Sequence, residues 1–177
     1  INSRFFDIIL CNPIFSDPHR NARMFKLLPH RFFPEYKHTV WIDGSIVVKS
    51  GNIRELIDTY LKDANLATYK HLARSCIYEE AIACIELSRD NPDDIRRQIK
   101  KYRMEKYPEK NGLISSGVII RNNLAPEVIK LNKDWWAEIK EYSRRDQISF
   151  NYVAWKNNFK YNIIPGNIYE NDYFRVE

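Results

Sequence analysis

The residues that could do chemistry stand at the ends of apolar runs. Residues 39–42, Thr-Val-Trp-Ile, stop at Asp43-Gly44-Ser45, and a second β-branched run, Ile46–Val48, follows at once. Val, Ile, Trp and Thr suit a half-buried or buried strand. In open α/β sheets ligands sit beyond the carboxyl ends of strands. An acid there can hold a divalent cation, which in turn can hold a phosphate. The same residues also spell a turn, because Asp-Gly between two β runs is a strong hairpin signal. Three further polar clusters interrupt apolar segments: Ser115-Ser116-Gly117, Arg145-Asp146-Gln147, and Lys70-His71 with Arg74, Tyr78, Glu79 and Glu80. Asp146 reads equally as a helix cap, Glu79 and Glu80 as a complement to a helix dipole, and His71 as a surface histidine. Arg23, Lys26, His30 and Arg31 interleave with apolar residues, a pattern that points to more than idle surface.

Other chemistries lack their signatures. There is no GxxxxGK[ST], GxGxxG, HExxH or GxSxG pattern, so the common nucleotide-loop, zincin and serine-hydrolase motifs are absent. Cys11, Cys76 and Cys84 are an odd set without CxxC spacing, which argues against a zinc site or disulfide scaffold and for a reducing compartment. No apolar run approaches the roughly 18–20 residues of a membrane span, and no signal peptide is visible.

At 177 residues, 44% hydrophobic and 14% aromatic, the chain is long enough for one domain with a sizeable core. It begins at Ile1, and the expectation is one domain over residues 1–177 that lacks an N-terminal segment. The net charge is +5, and residues 96–110 carry seven Lys and Arg against Glu105 and Glu109. Such a face either is solvated or favours an anionic partner such as phosphate, acidic glycan or a membrane surface.

The elements that must position these residues follow from periodicity. Residues 4–11, nearly continuously apolar, predict a strand covered on both faces. A short helix is predicted over residues 21–28, ended by Pro29. Ile53, Leu56, Ile57, Tyr60 and Leu61 mark a helix opened by Asn52 and Glu55 at capping-box spacing. Residues 66–69 are β-like, and Ile77, Ala81, Cys84 and Ile85 share one helical face. Asn91-Pro92-Asp93-Asp94 restarts a helix that is predicted to run to about Tyr107. Residues 112–121 predict a strand in which Gly117 marks a close approach. Two more helices start at Pro126 and near Asp146, and residues 161–164 form a last strand. Strands alternating with helices imply an α/β layer fold with a largely parallel sheet.

The runs KLLPHRFFPEYKHTVWIDGSI, HLARSCIYEEA, GLISSGVIIR and RDQISFNYVAW, in this order, resemble a glycosyltransferase-like family first catalogued as a domain of unknown function. That family includes plant proteins linked to seed mucilage and pollen turgor. The resemblance covers residues 5–164 and extends faintly to glycogenin-like retaining glycosyltransferases. It implies a single α/β nucleotide-sugar-binding domain of the GT-A type, with a mixed, mostly parallel sheet flanked by helices. It also implies a donor that is a nucleoside diphosphate sugar and an acceptor that is a glycan or another hydroxyl compound.

By position, Asp43 is similar to the first acid of an Asp-x-Asp motif that grips Mn²⁺ or Mg²⁺. Ser45 stands where the second acid would be. Ser is a weak, neutral ligand, so either metal affinity falls or a cation substitutes. The resemblance further implies donor binding by Arg23, Lys26, His30, Arg31, Gly44, Ser45, Ser116 and Gly117, with Ser115 beside them, and a sugar-facing role for Asp146 and Gln147. His71, Arg74, Tyr78 and Glu79 fall in a matching motif for donor or acceptor. Two rivals are an amide-lipid hydrolase and a non-catalytic basic module for acidic glycan or nucleic acid; under the favoured reading nucleic acid is not an expected partner. The expected location is cytoplasmic or membrane-associated, or the Golgi lumen for a plant-type member with an upstream anchor.

Overall fold

The computed structural model describes residues 7–49 and 52–176. Helix α1 (Pro18–Leu27) opens with Pro18 at its first position and Asp17 as its cap, the Asp17 carboxylate accepting from the His19 N–H at 2.9 Å. Both features suit a helix start. It ends where Pro29 begins the one-turn helix α2 (Pro29–Phe32). Strand β1 (His38–Ile42) runs to Asp43, and β2 (Ile46–Val48) follows after a tight turn closed by the Ile46 N–H on the Asp43 carbonyl at 2.9 Å. The turn is real, but it does not make a hairpin. β2 leaves the main sheet and pairs with β6 (Phe174–Val176).

The main sheet is completed by β3 (Leu66–Lys70), β4 (Ile114–Asn122) and β5 (Asn162–Ile164), in the order β1-β4-β3-β5. Helices α4 (Ile77–Glu86), α5 (Pro92–Met104), α6 (Pro126–Glu141) and α7 (Asp146–Lys156) join α1 over one face, and α3 (Ile53–Tyr60) packs on the other. Strand alternation sorts β4 between two cores. Ile114 and Ile119 join Trp135, Ile139, Ile148 and Phe150 on the helical side, whereas Val118 and Ile120 join Ile46, Leu56 and Phe174 on the other.

The α/β class and the mixed, helix-flanked sheet agree with expectation. The parallel majority does not: β3–β5 is parallel, but β1–β4 and β3–β4 are antiparallel. Side-chain alternation reads the same in either strand direction, so the pattern could not reveal that β4 inserts head-to-tail between β1 and β3. The strand expected over residues 4–11 lies partly outside the described residues. Residues 7–11 form no strand, and Ile8, Ile9 and Leu10 are 44%, 65% and 92% exposed. An apolar run becomes a strand only where a neighbour pairs its backbone, and no described strand does so here.

The irregularity in β4 matters most for function. Thr68 stands opposite Ile119, but Tyr69 stands opposite Ser115, so the β4 residues between them bulge. The buried Thr68 hydroxyl spans this bulge, 2.7 Å from the Val118 carbonyl oxygen and 3.2 Å from that of Ser115. Bulges re-aim side chains, and this one carries Ser116 and Gly117. Gly117 is needed for space: a Cβ there would meet the Ile46 and Ile168 methyl tips at 3.0 and 3.1 Å. Thr68→Val should therefore cost about 1–3 kcal/mol in urea unfolding by stranding buried carbonyls, and Thr68→Ser should cost less. Equal stability of the two variants would contradict the bridging role of the hydroxyl.

Candidate active site

The bulge, the end of β1, the inner face of α1 and the start of α7 converge on one ion pair. Lys26, fully buried on α1, places Nζ 2.6 Å from Asp146 Oδ2 and 3.5 Å from Asp43 Oδ1. It also donates to Ser116 Oγ at 3.2 Å, and that hydroxyl donates to Asp146 Oδ2 at 2.9 Å. Arg23, one turn before Lys26, puts Nε 3.3 Å from the same Asp146 oxygen. The Trp41 indole donates to Asp43 Oδ1 at 2.6 Å, and the Asp43 N–H donates to the Gly117 carbonyl at 2.8 Å.

Neighbouring elements hold this cluster in place. Arg121 of β4 donates to the Lys26 carbonyl at 2.5 Å and to Thr39 Oγ1 at 3.1 Å, and burial pulls its pKa down to about 9. The loop before α7 is clamped by Asp90, which accepts from the Ser143 hydroxyl at 2.7 Å and the Arg144 N–H at 2.8 Å. The Trp135 indole donates to the Asp146 carbonyl at 3.0 Å. Asp146 is the first helical residue of α7, not its cap, so its carboxylate is free to face Lys26. Burial alone would raise the Asp146 pKa. The charges of Arg23, Lys26 and Arg145 outweigh it and hold the carboxyl well below the usual carboxylate range. Burial likewise pulls Lys26 down, opposed by Asp146 and Asp43.

Above this floor opens a cavity of about 530 Å³. Its far wall is α4 and the loop before it. His71 Nδ1 accepts from the backbone N–H groups of Arg74 at 3.0 Å and Ala73 at 3.3 Å. The proton therefore sits on Nε2, 3.8 Å from Glu80 Oε2. Burial depresses the His71 pKa despite Glu80, so the ring is neutral near pH 7. Arg74 Nε lies 2.6 Å from the same Glu80 oxygen. Burial, reinforced by Glu80, pushes the Cys84 thiol up to about 11, which makes it no nucleophile.

Arg23, Asp43, Ser45, Ser115, Ser116 and Gly117 line this cavity, and so do His71, Arg74, Asp146 and Gln147. Lys26 lies beneath the floor. Other expected residues fall elsewhere. His30 and Arg31 border a separate hollow with Lys133, Trp136 and Lys140, because the kink at Pro29 turns α2 away. Tyr78 is buried and donates to the Tyr107 carbonyl at 2.9 Å. Glu79 is exposed on the outer face of α4, and Gly44 sits exposed in the turn with open space around it.

Sequence reasoning gives no site role to Trp41 or Arg89, and it places Glu80 and Arg145 in polar clusters without assigning either a role. Glu80 precedes Cys84 by one helical turn and follows the Ile77 face, a spacing that distinguishes it from Glu79. Arg89 follows the end of α4, where no periodicity exists to place it. The basic face at residues 96–110 is largely neutralised within the fold: Arg96 pairs with Asp93, Arg97 with Asp94 and Glu141, Lys101 with Glu138 and Arg103 with Glu109.

The donor set does not suit a metal held by paired acids. Among the described residues, no three His, Cys, Asp or Glu side chains gather around a point. Asp146 is taken up by Lys26, Arg23 and Ser116. Asp43 already accepts an indole N–H on an oxygen that also lies 3.5 Å from an ammonium.

An α/β domain with a strand-end carboxylate and a cation-lined cavity is the class of structure defined so far. Residues 6–175 match the TOD1/MUCI70 glycosyltransferase-like domain, and the chain belongs to that family. It is 30% identical to the probable hexosyltransferase MUCI70 of Arabidopsis thaliana, over 82% of this chain and 26% of that protein. The chain thus spans about a quarter of the length of the curated relative it matches. Mouse xyloside xylosyltransferase 1 in its apo form is similar in structure, with a TM-score of 0.49, 17% identity, and coverage of 81% of this chain and 50% of that one. A glycosyltransferase involved in glycosylation of the major capsid of PBCV-1 has a TM-score of 0.46 and 13% identity, covering 90% and 64%.

Removing one partner of a buried pair leaves the other charge uncompensated. Lys26→Met should therefore cost about 3 kcal/mol in urea unfolding, and adding Asp146→Asn should recover most of it. The pair also sets an acid limit. The folded carboxyl binds its proton more weakly than the unfolded one, so its contribution is complete above about pH 4 and is lost as pH falls below that. The double variant should lose less stability than the parent on acidification through this range.

Proposed function

We propose that this domain transfers a sugar from a nucleoside diphosphate sugar to a hydroxyl of a glycan acceptor, in a GT-A-type arrangement. The observation that carries this reading is the ionised, buried Asp146 at the floor of an arginine-lined cavity, in a chain of a glycosyltransferase-like family. In such a transfer the bond from the anomeric carbon to the diphosphate oxygen breaks and a bond to the acceptor oxygen forms. Positive charge develops on the sugar and negative charge on the leaving diphosphate. Fixed, partly dehydrated charges of opposite sign stabilise both.

Asp146 suits the first task. Its low proton affinity makes it a poor general base and a good electrostatic partner for a cationic sugar. Gln147 is a positioning residue: its amide donates to the Ile114 carbonyl at 3.1 Å and accepts from Arg145 at 3.2 Å, fixing the start of α7 against β4. Asp43 presents a carboxylate at the end of β1, where it can accept from sugar or ribose hydroxyls.

The amide-hydrolase reading meets Ser116 beside Lys26 at 3.2 Å. A lysine must be neutral to activate a serine, and Lys26 lies closer to the Asp146 carboxylate, at 2.6 Å, which opposes loss of its proton. With a panel of nucleotide sugars and oligosaccharide acceptors, acceptor-dependent release of nucleoside diphosphate is expected. Asp146→Asn should lower it about a hundredfold or more, while Glu79→Gln should leave it unchanged. Full activity in Asp146→Asn, or no release from any donor, would overturn the proposal.

A further inference from the structure

The charges of the cavity divide into paired and unpaired sets. Three carboxylates reach it, and each already has a cation. Asp146 is held by Lys26 and Arg23, Asp43 lies within 3.5 Å of Lys26, and Glu80 is 2.6 Å from Arg74. Two lining arginines remain, Arg89 and Arg145. Among the described residues neither has a carboxylate within ion-pair distance. Arg145 Nη2 donates to the neutral Gln147 amide at 3.2 Å, its guanidinium also meets the Cys84 thiol and feels Asp146 from beyond ion-pair range, and its Nε is buried without an acceptor. Arg89 is exposed at the rim, anchored by its N–H on the Cys84 carbonyl at 2.8 Å just past the end of α4.

The cavity with its floor therefore carries two positive charges in excess. The diphosphate of a nucleotide sugar, a diester, carries two negative charges. Adding a divalent cation would leave the complex with an uncompensated double positive charge in a partly buried site, and no carboxylate is free to offset it. Arginine presents a planar fork of N–H donors that matches phosphate oxygens bidentately.

We propose that Arg89 and Arg145 grip the donor diphosphate directly, doing the charge neutralisation that a metal bound by paired acids would otherwise do, so that donor binding needs no divalent cation. This rests on the nucleotide-sugar reading above. Ser45, at the position of the missing second acid, then needs no ligand role. It lines the cavity as a neutral side chain.

Calorimetric titration of the full chain with inorganic pyrophosphate and with uridine, guanosine, adenosine and cytidine diphosphates, each in EDTA and in Mn²⁺, tests both levels. Binding of at least one ligand in EDTA is expected, with little change on adding Mn²⁺. Arg89→Gln, exposed and so tolerated by the fold, should weaken that binding by about tenfold to a hundredfold, the worth of a charge-assisted contact. Arg145→Gln should do the same, and Arg89→Lys should weaken it less than Arg89→Gln. Binding seen only with Mn²⁺, or unaffected by Arg89→Gln, would overturn the inference and leave the donor reading standing. No binding in either condition would overturn both.

Discussion

A lysine and an aspartate removed from water must find each other, and the rest of this domain is arranged so that Lys26 and Asp146 do. Taking either charge out of water alone costs several kcal/mol, and the pair is tolerable only with good geometry and further hydrogen bonds. Here Ser116 supplies a hydrogen bond to the carboxylate, Arg23 adds a second positive charge 3.3 Å away, and Trp41 turns Asp43 toward the ammonium. These groups come from four elements: α1, the end of β1, the β4 bulge and the start of α7. The pair therefore fixes where four elements meet, and the cavity opens above that junction. A hydrophobic replacement could fill the same volume, but it would leave the cavity without an ionised floor.

Much of the architecture was legible because it rests on periodicity. Ile53, Leu56 and Ile57 announce α3, Pro92 announces α5, and the β-branched run ending at Asp43 announces β1. What failed was information that periodicity does not contain. The direction of β4 is invisible in its alternation. The apolar run at residues 8–10 looked buried, but burial depends on a neighbour that the local pattern cannot supply. The family resemblance implies that Lys26 is a cation for a phosphate, yet it lies under the cavity with its charge committed to Asp146. A basic residue at helical spacing from Met24 and Leu27 gives no sign that it faces inward.

The site follows the same logic. Asp43, His71, Arg74 and Asp146, which line the cavity, each stand where an apolar run breaks, and breaks at strand and helix ends are where ligands meet backbone. Glu79 and Glu80 stand in the same cluster, and only the helical face separates the exposed Glu79 from the buried Glu80. Arg145 stands in a polar cluster visible in the sequence, but that neither it nor Arg89 has a carboxylate within ion-pair distance among the described residues is a property of three-dimensional charge balance. The balance also gives meaning to Ser45. With every acid of the cavity already paired, an aspartate there would add an unpaired negative charge to the cavity wall.

The central claim is that Asp146 stays ionised in the protein interior because Lys26 and Arg23 hold it so. The side-chain carboxyl carbon of Asp146, assigned by loss of its resonance in Asp146→Asn and followed by ¹³C NMR as pH is lowered, reports this directly. The account predicts no inflection as pH passes through the usual aspartate value of about 3.9, with the signal moving only as the fold itself is lost. An inflection at or above that value in the folded protein would mean that the carboxyl takes up a proton as an ordinary aspartate does, and the ion pair would not be the anchor described.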